Sequence, residues 1–167
     1  MIVSYIKYFI ILVLLIIIQK TIIWLLAITT YNITPDIVII AVVYIGIKRG
    51  NIEGSVSGFI SGLLLDILSG TFLGLLALSY SVAGFIAGYF KREEDEKYLT
   101  KYYFLLIVFL CSVVSNFIYF ELYFQGLAVM FFDVLVQYVI PTATYTTLIS
   151  IIFVIILLKR KEVEKVY

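Results

Sequence analysis

Histidine is absent from all 167 residues of this chain. That removes the commonest general base and the commonest metal ligand. Cysteine occurs once, as Cys111 inside an apolar run, so an internal disulfide is excluded. Charge is scarce, at 14% of residues against 63% hydrophobic. A soluble domain of this length could not bury so much apolar surface, which leaves an integral membrane protein as the class. Proline occurs twice. Pro35 suits the first turn of a helix, where its missing N–H costs nothing, and Asp36 beside it complements the N-terminal dipole. The first apolar run, Tyr8 to Ile18, lacks a following small-residue cleavage site, so no cleaved signal peptide is expected. Residues 1–167 read as a single integral membrane domain with no appended soluble domain. No catalytic, metal or cofactor-binding residues are expected, and no nucleic-acid partner.

What is present is concentrated between Gly54 and Phe90. Those 37 residues carry one charge, Asp66. The stretch is too long for one crossing, since a hydrocarbon core of ~30 Å needs only about 20 helical residues. It must turn, and Ser69-Gly70-Thr71 holds the turn chemistry. Gly54, Gly58 and Gly62 recur every fourth residue before Asp66, and after the turn Gly74, Ala77, Ser81, Gly84 and Gly88 recur at spacings of three and four. Both patterns set small residues along one side of a helix, and such faces let helix backbones approach closely in lipid. Gly54, Gly58, Gly62, Gly74, Ser81, Gly84 and Gly88 are therefore expected to form a helix-packing or partner face. Gly58→Ile should disrupt it and Gly58→Ala should be mild.

Charges divide the chain into runs Ile2–Ile18, Ile37–Ile47, the two halves of Gly54–Phe90, Tyr102–Tyr119 and Val134–Leu158. The fold class is all-α, with six transmembrane helices, if Ile22–Thr34 forms a helix extension and an external loop. With the N-terminus inside, residues 1–7, 48–53, 91–101 and 159–167 are internal and hold eleven of the twelve Lys and Arg residues. Five or seven crossings would put a basic cluster outside, so both termini are expected to be cytoplasmic. Two crossings look short, the first from Pro35 to Ile47 and the second from Gly54 to Leu68. Short segments of this kind can mark a substrate site or a partner-covered, thinned region.

Three polar residues are candidates for function within the membrane: Asp66, Lys20 and Gln19. Asp66 lies about 20 Å along its helix from Glu53. It can cap the start of the next helix near Thr71 to Gly74, or pair with Lys20. The alternative is proton or ligand chemistry. Lys20 either snorkels to headgroups or pairs with Asp66. Asp133 and Asp66 do not make a convincing protease dyad, because Asp133 falls at a helix start and no Gly-rich motif frames it. The mixed-charge turn Lys91 to Lys97 reads as a solvated loop that fixes topology, with a docking site for a cytosolic partner as the alternative, and the basic stretch Lys159 to Lys165 as one that grips anionic lipid.

Pro35-Asp36, then Gly54, Gly58-Phe59, Gly62-Leu63, Asp66-Ile67-Leu68-Ser69-Gly70 and Gly74-Leu75 carry a resemblance. With Gln19 at the end of the first helix and Pro141 in the last, the chain resembles the MreD family of bacterial rod-shape-determining membrane proteins. The resemblance implies a non-enzymatic scaffold of the cell-elongation complex, or elongasome. Such a scaffold links peptidoglycan synthesis to the MreB cytoskeleton through MreC, with RodA and a penicillin-binding transpeptidase in the wider assembly. It also implies the bacterial inner membrane, and a fold resembling the substrate-binding subunits of energy-coupling-factor transporters. The alternative is a transporter-like subunit that binds a small molecule in a pocket near Asp66 and Lys20.

Overall fold

The computed structural model describes residues 2–21, 34–91, 101–125 and 131–163. Six helices occupy them: α1 (Ile2–Thr21), α2 (Ile37–Arg49), α3 (Asn51–Ser69), α4 (Leu75–Gly88), α5 (Lys101–Tyr123) and α6 (131–163). The last begins as Phe131–Val134, widens into a π-helical turn at Leu135–Val139 and continues as Ile140–Val163. Residues 22–33 of the expected external loop and 92–97 of the mixed-charge turn lie outside the described residues.

Among the described residues, three helices are long and apolar enough to cross a membrane: Asn51–Ser69, Tyr102–Tyr123 and Phe131–Ile155. Helices of that length and composition match the hydrocarbon thickness of a bilayer. The second expected short crossing is not short. α3 begins at Asn51, three residues before Gly54, and runs for 19 residues, because the polar Asn51 and Glu53 sit in its first turn rather than in a loop. α2 does stay short, at 13 residues.

α2 is the axis of the molecule. It packs against all five other helices, and Val38, Ile39, Val42 and Val43 are fully buried along it. A helix that is apolar all round belongs where protein, rather than water, surrounds it. Leu12 and Ile16 of α1, Ala83 and Ala87 of α4, and Ile107 and Val108 of α5 complete the core around α2. At the far end of α2 the Arg49 guanidinium reaches Glu53 at 3.4 Å and lies 5.0 Å over the Tyr8 ring.

α3 and α4 form a hairpin whose backbones touch. A Cβ placed on Gly54 would lie 2.3 Å from the Gly84 carbonyl oxygen, and one on Gly84 would lie 2.2 Å from that of Gly54. Gly58 faces the Tyr80 carbonyl at 2.2 Å, Gly62 that of Leu76 at 2.4 Å, and Gly88 the Asn51 nitrogen at 2.2 Å by the same measure. Two polar contacts sit in the seam. Ser55 and Ser81 share a hydroxyl bond of 2.8 Å, and Asn51 Nδ2 donates to the Phe85 carbonyl at 2.9 Å. Gly54, Gly58, Gly62, Gly84 and Gly88 thus meet main chain of the facing helix or its first residues. Gly74 stands outside this seam. It is the residue before α4, with φ 104°, and nothing lies within 4 Å of where its Cβ would be. Its left-handed backbone turns the chain into α4, which is a glycine's task of a different kind. The expectation for Gly58→Ala also changes, because a single methyl already meets main chain.

Candidate functional site

The ends of α1, α3 and α5 and the starts of α2, α4 and α6 meet at one end of the bundle, as six helices alternating in direction require. Two systems of hydrogen bonds are built there. Both satisfy the free N–H groups that every helix start presents.

The first is centred on Asp66, which is fully buried. Its Oδ1 accepts from the Thr71 hydroxyl at 3.2 Å and the Leu76 N–H at 3.2 Å. Its Oδ2 accepts from the Gly74 N–H at 2.9 Å and the Ala77 N–H at 3.3 Å. Gly74 occupies the cap position of α4 and has no side chain to offer. Asp66 supplies the missing cap from the preceding helix, and its negative charge suits the positive end of α4. Every oxygen contact goes to the turn or to α4, and Lys20 takes no part. The Lys20 amine instead donates to the Ser69 hydroxyl, at the end of α3. The expected Lys20–Asp66 pair is therefore not formed, because the start of α4 occupies both carboxylate oxygens.

The second system sits at the start of α2 and joins four helices. Asp36 caps its own helix by accepting from the Ile39 N–H at 3.2 Å. Gln19 Oε1 reaches across from α1 and accepts from the Val38 N–H at 3.0 Å. The Asp36 N–H donates to Thr146 Oγ1 of α6 at 3.0 Å, and the buried Tyr80 hydroxyl of α4 donates to Asp36 Oδ2. A helix start enclosed by protein must find such partners, since an unmade bond there costs about 1–3 kcal/mol. Gln19 was legible as a candidate from its place at a helix end. Tyr80 and Thr146 were not, because nothing local marks a tyrosine or threonine in an apolar helix as the partner of a distant cap.

Between the two systems lies a cavity of ≈ 520 Å³. α1 contributes Gln19 and Lys20, and α2 contributes Asp36 with the preceding Thr34. The end of α3 adds Leu65 and Ser69, followed by Thr71, while Leu76 and Tyr80 come from α4. α5 contributes Asn116 and a run of rings, Tyr119, Phe120, Tyr123 and Phe124, and α6 contributes Tyr138 and Thr142. Lys20 and Gln19 thus line the cavity, whereas Asp66 stands behind its wall. Phe120 and Phe124 lie 5.2 and 5.3 Å from the Tyr138 ring.

Tyr138 owes its place to the π-helical turn. The Ile140 N–H bonds to the carbonyl of Leu135, five residues back. Pro141 follows directly. Its ring would collide with the carbonyl of Gln137 in a regular helix, and the extra residue in the turn relieves that clash. The proline seen in sequence as an interruption thus acts one turn earlier, on an aromatic side chain of the cavity wall. Among the described residues, no three of Cys, Asp and Glu gather as metal ligands.

A model of the family described as rod shape-determining protein MreD matches residues 2–160 of the chain. Neither curated proteins nor solved structures yielded a match.

Proposed function

This chain belongs to the MreD family of rod shape-determining proteins, and we propose that it is a non-enzymatic membrane scaffold of the bacterial cell-elongation complex. In this reading it maintains cell shape by linking peptidoglycan synthesis to the MreB cytoskeleton through MreC, with RodA and a penicillin-binding transpeptidase in the wider assembly. The observation that carries the reading is the family match over almost the whole chain. The internal build supports it. A core helix enclosed by five others and a hairpin locked main chain to main chain make a stiff platform, and their packing surfaces are already used. A partner would therefore meet the outer flanks, where Ile52, Phe72 and Tyr89 are among the exposed apolar side chains.

The same proposal sets the protein in the inner membrane with six crossings and both termini cytoplasmic. Two observations support it: the eleven-of-twelve basic bias and the meeting of alternate helix ends at one cavity. α2 can be shorter than the bilayer because protein, not lipid, sets the length that it must match. The proposed fold is that of the energy-coupling-factor substrate-binding subunits.

A second reading, a transporter-like subunit that binds a small molecule, is favoured by one observation, the cavity of ≈ 520 Å³ beside Lys20. Its size falls within the range of small-molecule sites. Co-expression with MreC and affinity purification test the first reading. Stable co-purification of MreC is expected. Failure to retain MreC, together with normal rod shape after depletion of this protein, overturns the scaffold.

A further inference from the structure

The charges around the cavity are unevenly satisfied. Asp36 accepts from the Ile39 N–H and the Tyr80 hydroxyl at the positive end of α2. Asp66 is committed to the start of α4. The Lys20 ammonium, by contrast, donates to a neutral hydroxyl, and among the described residues no carboxylate lies within ion-pair distance of it. Lys20 stands in the last turn of α1 and on the cavity wall, so its charge is available to an anion that enters there. The remaining wall is of another kind. Phe120, Phe124 and Tyr138 form a ring cluster with centroids 5.2 to 6.1 Å apart, and a π-helical turn, a feature frequent at functional sites, sets Tyr138 within it.

We propose that this cavity binds an organic oxyanion, a carboxylate or phosphate on an apolar or aromatic body, with Lys20 as its counter-ion and the rings of Phe120, Phe124 and Tyr138 against its body. The proposal deepens the small-molecule reading and rests on the cavity being a ligand site. It is independent of the scaffold role. The oxyanion can belong to a free solute or to an anionic phospholipid headgroup, since the chemistry that Lys20 recognises is the same.

The test uses the full chain in phosphatidylcholine nanodiscs, titrated with naphthoate and with its neutral isostere naphthamide. Naphthoate is expected to bind at least tenfold more tightly. Lys20→Gln should abolish that preference and Lys20→Arg should keep it. Lys20 is exposed, so both variants should fold. Tyr138→Ala should weaken both probes to a similar degree. Nanodiscs containing phosphatidylglycerol identify the source. Displacement of naphthoate by that lipid in the wild type, lost in Lys20→Gln, supports a headgroup ligand, and no displacement supports a solute. Equal binding of the two probes overturns the oxyanion proposal while the ligand site stands. So does a preference that survives Lys20→Gln. Binding of neither probe, with no lipid retained, overturns both.

Discussion

Gly58→Ala is the sharpest test of how this bundle is held together. The added Cβ would lie 2.2 Å from the Tyr80 carbonyl oxygen, 2.5 Å from its carbon and 2.9 Å from the Ser81 nitrogen. Ordinary contacts between such atoms need about 3.5 Å, so α3 and α4 must part by roughly 1 Å at that level. All three neighbours are main chain and have no rotamer to change. Overpacking costs about 1–3 kcal/mol, and a site that cannot yield belongs at the top of that range. Replacing Gly by Ala inside a helix returns about 1 kcal/mol of propensity, leaving a net loss of about 2 kcal/mol. Gly46→Ala is the comparison. Its Cβ would meet the Gly84 oxygen at 2.8 Å and the Ala87 Cβ at 2.9 Å, a milder overlap, and the same helical gain should bring the net change to within about 1 kcal/mol of zero. Equilibrium unfolding in mixed micelles, followed by circular dichroism, measures both. If Gly58→Ala unfolds within about 0.5 kcal/mol of the wild type, or if Gly46→Ala is the worse of the two, the main-chain contact does not hold the hairpin.

Asp66→Leu leaves the N–H groups of Gly74, Leu76 and Ala77 without their acceptor and should cost about 3–5 kcal/mol, enough to lower membrane abundance and abolish rod-shape complementation. Asp66→Asn keeps one acceptor oxygen and sets an amide against the other donors. It should cost about 1.5–3 kcal/mol and retain shape function; a well-folded but inactive Asn variant would point to proton or ligand chemistry instead. Gln19→Leu uncaps the Val38 N–H in a protein-enclosed helix start and should destabilise by about 1–3 kcal/mol, read as a lowered thermal midpoint; a midpoint equal to that of the wild type would contradict the cap. In a Cys111→Ser background, cysteines at Ser69 and Gln125 should react with a membrane-impermeant maleimide in intact cells, and those at Arg49 and Asp95 should not. Labelling of Asp95→Cys would sink the six-crossing arrangement.

Hydropathy and small-residue spacing made the helices legible. The long run from Gly54 to Phe90 had to fold back on itself, and its glycines had to share a side, because helix period and bilayer thickness leave no other solution. The turn at Ser69 to Thr71 and the acidic residue beside it were equally readable, since both are local chemistry. Gly74 falls in the same repeat yet turns the chain, because a repeat pattern does not distinguish a glycine that packs from one that turns. α3 extends beyond its apolar run because Asn51 and Glu53, polar by composition, are tolerated in a helix's first turn.

The sequence by itself therefore determined an all-helical membrane protein, the order of its helices and the hairpin between Gly54 and Phe90. It did not determine which helix lies inside. In lipid the hydrophobic effect does not distinguish a face turned to another helix from one turned to acyl chains, so Ile37–Arg49 resembles any other apolar run until the bundle closes around it. Nor did it determine the polar partnerships. Gln19 with Val38, Asp36 with Tyr80 and Thr146, and Lys20 with Ser69 rather than Asp66 depend on which helix ends meet. Only tertiary packing settles that, by bringing the polar groups of one helix start within reach of side chains from three others.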